Sequence, residues 1–329
     1  MTPCIGENDV SAKKIIAVLG ATGQQGGGLV RAILADKTGH FTPRALTRDV
    51  NSPKAKALAA EGAEVAAADV DDAGTLRRAF EGAYGAFCLT FFFHHMSPER
   101  ELAEAASMAE AAKQTGVELV IWSTLDDTRR FMTLDDDRMP TLRGKYKVPH
   151  FDAKGEADAL FTRAGVPAMF LQTCNYWDNM IHLGSGPQRM PDGKLALILP
   201  MGDKKMPAIA SEDIGKCAYG VFNRGRDFVG QTIGIAGEHL SGEETASALT
   251  RAIGEKVAYQ NVPPDVYRGF GFPGAEELGN MYQFKRDFND YYRASRSVEV
   301  ARSLNPALQS FDQWLARNAS KIPIEAAAG

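Results

Sequence analysis

The chain has 329 residues, 44% of them hydrophobic and 24% charged, with a formal net charge of -4 at neutral pH. That length buries a sizeable core, and the expected arrangement is a larger domain with a smaller one appended. The acidic balance offers no basic surface for a nucleic acid, and the longest apolar run, around Ala86 to Phe93, is too short to cross a bilayer. The first fourteen residues include Glu7, Asp9, Lys13 and Lys14 and lack the apolar core of a secretory signal, so a cytoplasmic protein is expected. Cys4, Cys88, Cys174 and Cys217 have neither metal-ligand spacing nor a paired framework and read as reduced thiols.

Residues 15–19 form a continuous apolar run and read as a buried strand. The run ends in Gly20-Ala21-Thr22-Gly23-Gln24-Gln25-Gly26, after which Leu29, Val30, Ile33 and Leu34 recur at helical spacing, so a helix is expected over 24–35. Further strands are expected at 43–47, 64–68, 86–90, 118–123 and 168–172, with helices at 52–61, 73–81, 98–115 and 151–164 between them. Each crossover is long enough for a right-handed β-α-β unit. The expected fold class is therefore α/β, a Rossmann-type doubly wound parallel sheet. Segment 126–148 is interrupted by Arg129, Arg130, Asp135, Asp136, Asp137, Arg138 and Pro140 and is expected as a surface insertion or lid. Past residue 173 the alternation gives way to turns, short strands near 195–199 and 232–236, and helices near 211–222 and 242–253. The expectation is a first domain over 13–173 and a smaller α+β C-terminal domain over 174–322, formed with returning segments. Residues 1–12 and 323–329 are expected to be flexible.

The strand-to-helix turn at Gly20, Gly23 and Gly26 carries the first chemical expectation. Gly20 permits a tight turn, Gly23 lets backbone approach a pyrophosphate, and Gly26 allows close helix-strand packing, with the positive end of the helix facing the anion. In parallel sheets ligands bind beyond the carboxyl ends of the strands, which here carry Gly20, Thr47-Arg48, Asp69, Thr90 and Ser123-Thr124. The second strand ends in Thr47-Arg48 rather than in an acid, and Lys54 and Lys56 open the next helix. Cations there suit a ribose 2′-phosphate, so NADP(H) is expected over NAD(H). Asp69 either accepts from an adenine amino group or caps the following helix, and the sequence leaves both open.

His150-Phe151-Asp152-Ala153-Lys154 opens a helix after the fifth strand. Four-residue spacing puts His150 and Lys154 on one helix face, and a lysine there is suited to orient a cofactor ribose or assist a proton donor. The alternative is a solvated lysine paired with Asp158 at i,i+4. Ser123 stands where a hydroxyl polarises a substrate carbonyl, although a strand-end serine also serves as a turn residue. His94 and His95 follow Phe91-Phe92-Phe93 and are expected to line a pocket. No metal site is expected, because neighbours in extended chain point to opposite faces and no carboxylate cluster accompanies them. Tyr176, in Asn175-Tyr176-Trp177-Asp178-Asn179, is the expected aromatic neighbour of a cofactor.

Taken together, these residues resemble the NmrA-like family, an atypical branch of the short-chain dehydrogenases, and within it the redox-sensor group. The likeness spans about residues 13–322. It rests on Gly20-Ala21-Thr22-Gly23-Gln24-Gln25-Gly26-Gly27, Thr47-Arg48, His150-Phe151-Asp152-Ala153-Lys154-Gly155-Glu156, Gly165-Val166-Pro167, Leu199-Pro200-Met201-Gly202-Asp203, Gly271-Phe272-Pro273-Gly274-Ala275 and Asp312-Gln313-Trp314-Leu315. The resemblance implies that the turn from Gly20 through Thr22, Gly23, Gln24, Gln25 and Gly26 holds the pyrophosphate. It also implies that Arg48 and a lysine near Lys54 hold the 2′-phosphate, with Thr90, Lys154 and Tyr176 along the nicotinamide half. Thr47, Asp69 and Phe91 complete the expected cofactor contacts, and Lys154, His150 and Ser123 are the catalytic candidates.

Regulatory members of the family bind NADP(H), lack the active-site tyrosine and report cofactor state through partners. Isoflavone-reductase-like relatives use a lysine equivalent to Lys154 for reduction. Because position 150 holds histidine rather than tyrosine, a cofactor-reading regulator acting on a protein partner or a second copy of itself comes first. A reductase of a small apolar or aromatic carbonyl or ene substrate using Lys154 comes second. Two departures favour the reductase: the segment from Thr128 to Val148 is long for this family, and Phe91-Phe92 replaces a more polar pair.

Overall fold

The computed structural model describes residues 13–324, so residues 1–12 and 325–329, with Cys4, lie outside the described residues. The first half alternates strand and helix: β1 Lys14–Val18, α1 Gln24–Ala35, β2 Phe41–Thr47, α2 Pro53–Ala60, β3 Glu64–Ala67, α3 Ala73–Phe80, β4 Gly85–Cys88, α4 Pro98–Thr115, β5 Leu119–Thr124, α5 Pro149–Ala164 and β6 Ala168–Gln172. The second half contains β7 Asn175–Tyr176, α6 Asn179–His182, β8 Gln188–Arg189, β9 Leu195–Leu199, β10 Met206–Ile209, α7 Ser211–Asn223, β11 Thr232–Gly234 and β12 Glu238–Leu240. It continues through α8 Gly242–Ile253, β13 Val257–Asn261, α9 Pro264–Arg268, α10 Ala275–Asp287, α11 Asn289–Ala294, α12 Val298–Leu304 and α13 Phe311–Asn318.

The main sheet has seven parallel strands in the order β3-β2-β1-β4-β5-β6-β11. Strand order reverses between β1 and β4, which opens the crevice of a doubly wound fold above the glycine turn. Pro43 lies inside β2, but pairing with β3 begins only at Arg44, so no hydrogen bond is lost to the missing N–H. One face of the sheet buries Ile16, Val18, Phe87 and Ile121 against α1, α7 and α12. The other buries Ala17, Ala86, Val120 and Trp122 against α3, α4 and α5. A separate core around Phe284, Trp177, Trp314 and Leu197 holds the second half together, with two small sheets, β12-β10-β7 and β13-β9-β8.

Segments after residue 173 return to the first unit. β11 extends the main sheet beside β6, and α7 lies on α1 at glycine contact: a Cβ on Gly215 meets the Leu29 amide nitrogen at 2.1 Å, and one on Gly28 meets the Glu212 carbonyl at 2.5 Å. Pro323 and Ile324, expected to be flexible, are described, and Ile324 packs against the second core. Segment 126–148, expected as a surface insertion or lid, is a strap with exposed charged residues that packs against the body of the protein. Met132, Met139, Tyr146 and Val148 are buried. The Asp152 carboxylate accepts from the Thr128 amide at 2.8 Å and the Lys147 amide at 2.8 Å, and Asn280 on α10 donates to the carbonyls of Pro140 at 2.9 Å and Lys147 at 2.6 Å. Apart from a 3-10 turn at Thr128–Arg130 and a bridge between Leu142 and Tyr146, the strap has no regular structure, and side chains satisfy part of its backbone.

Candidate functional site

The turn between β1 and α1 is built for close approach. Gly20 sits at φ +62°, a conformation that disfavours a side chain, and a Cβ on Gly26 falls 2.5 Å from the Gly20 carbonyl oxygen and 2.7 Å from that of Leu19. α1 opens on Gly23 with no side-chain cap and no acid in its first turn. Among the described residues the amides of Gln24, Gln25 and Gly26 have no acceptor, so they converge with the helix dipole on whatever anion lies above them.

Arg48 leaves the end of β2, and Lys54 lies in the first turn of α2, whose N-cap is Ser52. Both are exposed and, among the described residues, neither side chain has an ion-pair or hydrogen-bond partner. Thr47 tops the same strand, its hydroxyl accepting from the Asp49 amide at 3.3 Å. Asp69 leaves helix capping to Asp72, which accepts from the Gly74 and Thr75 amides at 2.9 and 3.1 Å; one Asp69 oxygen accepts from the Asp71 amide at 3.1 Å.

Gln25 joins three elements. Ser123, at the end of β5, donates to its Oε1 at 2.9 Å, and its Nε2 donates to the Tyr176 hydroxyl at 2.8 Å, which lies 3.0 Å from the Thr173 hydroxyl. Burial pushes the Tyr176 phenol up to about 12, so it stays protonated and serves as a hydrogen-bonding group.

Lys154 is the charged centre of the strand edge. Its Nζ donates to the Thr90 hydroxyl at 2.6 Å, the Thr90 carbonyl at 3.2 Å and Glu101 Oε1 at 2.7 Å. Thr90 also donates to Glu101, which is wholly buried on α4. The alternative pairing with Asp158 does not form: Lys154 reaches across to α4, and Asp158 accepts from Thr124 at 2.6 Å instead. Behind Glu101, His95 Nε2 lies 3.5 Å from Glu101 Oε2 and 3.6 Å from Glu104 Oε1. A carboxylate cluster thus does accompany His95, contrary to expectation: the chain at Phe92–His94 is a helical turn rather than extended, and the acids arrive from α4. The Ser97 amide donates to His95 Nδ1 at 3.0 Å, so Nε2 carries the ring proton and faces the acids as a donor, not as a ligand lone pair. Burial lowers the His95 pKa, and burial together with the Glu101 charge raises the Glu104 carboxyl to about 7.

The sequence profile of the NmrA-like family matches residues 12–321. The chain belongs to the NmrA-like family. It is 29% identical over 257 residues to the NmrA-like family domain-containing oxidoreductase malD of Malbranchea aurantiaca, covering 76% of each chain. The fold is that of NmrA, a negative transcriptional regulator, in its complex with NADP, with a TM-score of 0.75 at 23% identity over 94% of this chain and 96% of the other. It is also that of the Citrobacter sp. triphenylmethane reductase complexed with NADP(H), with a TM-score of 0.70 at 19% identity over 93% and 99%. At those identities the two structures speak for the fold.

Within this NmrA-like chain the expected site residues divide. Gly20, Thr22, Gly23, Gln24, Gln25, Gly26, Thr47, Arg48, Asp69, Thr90, Ser123, Lys154 and Tyr176 lie at the carboxyl edge of the sheet or on segments that border it, with Lys54 just beyond β2. His150 does not present a free ring: its backbone amide and Nδ1 both meet Glu277 Oε1, at 2.7 and 2.6 Å, inside an aromatic cluster of Phe92, Phe93 and Phe151. Phe91 is 57% exposed, whereas Phe92 is buried packing. Sequence reasoning missed Glu101 and Glu104. Their signal was an acid pair at the inward positions of α4, in step with Ala105, Met108 and Ala112 where a core-facing stripe admits only paired charges. No described helix is long and apolar enough to cross a membrane.

Proposed function

We propose that this chain binds NADP(H) and uses it to reduce a small apolar or aromatic carbonyl or ene compound. One observation carries the reading: Lys154, held by Thr90 and the buried Glu101, is an oriented ammonium at the strand edge beside the glycine turn. The uncapped opening of α1 fits a pyrophosphate, and the unpaired Arg48 and Lys54 fit a 2′-phosphate. Bound NADPH supplies the hydride. Lys154 Nζ then contributes the proton or hydrogen bond to the substrate oxygen, exchanging its weakest acceptor, the Thr90 carbonyl at 3.2 Å, for the substrate. Glu101 keeps the Lys154 Nζ aimed, and Tyr176 and Ser123 hold Gln25 against the glycine turn. The oxidoreductase designation of malD and the NADP(H) complex of the triphenylmethane reductase support the reading.

A second reading, a cofactor-reading regulator that signals to a protein partner, is favoured by His150, which replaces a tyrosine and is locked to Glu277. The test is a calorimetric titration with NADPH and NADH, followed by NADPH turnover on a panel of aryl ketones and quinones. The reductase reading expects tighter NADPH than NADH binding, loss of that preference in Arg48→Glu by tenfold or more, and turnover at least about 100-fold lower in Lys154→Met. Equal affinity for the two coenzymes removes the phosphate assignment, and tight NADPH binding without turnover on any compound hands the site to the regulator.

A further inference from the structure

A cavity of about 580 Å³ lies at the β6-β11 edge of the main sheet, walled by the segment after β5, α5, β11 and the α11–α12 junction. Small-molecule sites span roughly 300–1,000 Å³. Its apolar wall is formed by Phe131, Phe228, Ile233 and the ring of Tyr291, with the Phe131 and Tyr291 centroids 4.4 Å apart. Such a wall matches a flat ring system.

The polar wall is selective for charge. Asp126 is neutralised by Arg296 at 2.5 Å and also accepts from Tyr291 and Gln172. Asp127 is held by both arms of Arg129, at 2.8 and 3.0 Å. Arg130 has no such partner: among the described residues its guanidinium makes neither an ion pair nor a hydrogen bond. Asp158, the third acid of the wall, accepts from Thr124, and burial raises its carboxyl to about 7 against the opposing pull of Thr124 and Arg130. In its protonated form it is a hydrogen-bond donor.

We infer that this cavity is a second small-molecule site that takes a planar organic anion of the aromatic carboxylate class, its carboxylate on the Arg130 guanidinium and its ring against Phe131 and Tyr291. The site is independent of the dinucleotide reading. It shares one hydrogen-bonded network with the glycine turn: Tyr291 and Arg296 meet on Asp126, Arg296 reaches the Thr173 carbonyl at 2.8 Å, and Thr173 leads through Tyr176 to Gln25.

The test uses the full chain and 1-naphthoate as the probe, with neutral 1-naphthalenemethanol as control, read by calorimetry and ligand-observed NMR. Expected are saturable naphthoate binding at about millimolar concentration or tighter, binding of the alcohol tenfold weaker or worse, and a similar loss in Arg130→Gln. Because Arg130 is exposed and unpaired, that variant should melt with the parent chain. Val300→Trp, at a 37% exposed position on the rim, should block the probe by filling the cavity. Absence of saturation, unchanged affinity in either variant, or displacement of naphthoate by NADPH would each overturn the assignment, the last by placing the probe at the glycine turn.

Discussion

Replacing Glu101 with glutamine removes one charge and almost no volume from the most buried ionic contact of the candidate site. Glu101 is 0% exposed, and its Oε1 lies 2.7 Å from Lys154 Nζ, whose side chain is 13% exposed. At an effective dielectric constant of about 20 the bare attraction at that separation is about 6 kcal/mol, an upper bound because both groups lost hydration on folding. Glutamine keeps an acceptor for Lys154, and the Thr90 bonds to Lys154 remain, so the expected loss of stability is about 3 kcal/mol, or roughly 5 °C in melting temperature for a chain of this size. Lys154→Met strands the carboxylate instead, with only Thr90 and a His95 nitrogen 3.5 Å away, and should cost about as much or more. The double variant carries no unpaired charge. It should therefore lose only about 3 kcal/mol, giving a coupling energy near 3 kcal/mol in a urea-denaturation cycle. Additivity of the two single losses to within about 0.5 kcal/mol would refute the claim that these residues act as one buried pair.

Gly215→Ala brings a methyl group to 2.1 Å from the Leu29 amide nitrogen and must push α7 off α1; a loss of ~3 kcal/mol in chemical denaturation is expected, and a variant as stable as the parent would show the helix contact to be loose. Asp158 binds its proton more tightly in the folded state, where its pKa is about 7, than at its ordinary value of 3.8. Native stability from this group is therefore present at low pH and is lost as pH rises towards 7. Asp158→Asn should accordingly gain on the parent between about pH 4 and 7 and hold a constant advantage above; a pH-independent difference in urea midpoints contradicts the burial argument. Ser310→Ala removes the capping box that Ser310 and Gln313 form at the start of α13 and should cost about 1 kcal/mol, checked by thermal melting.

The amino-acid sequence by itself determined the alternation of strand and helix, because continuous apolar runs, helical spacing and glycine turns are local signals. Helix α1 and strand β6 fall on the expected residues, and the carboxyl-edge positions of Gly20, Thr90 and Lys154 follow once the sheet is known to be parallel. Tertiary structure decided which groups meet. Lys154 faces Glu101 rather than its sequence neighbour Asp158 because the contact crosses from α5 to α4 over the end of β4, a relation no spacing rule encodes. His150, promising at its helix start, is taken by Glu277 from 127 residues away. Segment 126–148, whose charges suggested a surface insertion or lid, is pinned by Asp152 and Asn280, since a strap with little regular structure satisfies part of its backbone with side chains from elsewhere. Local chemistry thus specified the elements and the anion-facing turn, whereas burial, which turns an acid such as Glu101 from a solvated charge into an obligatory partner, depended on distant segments closing over it.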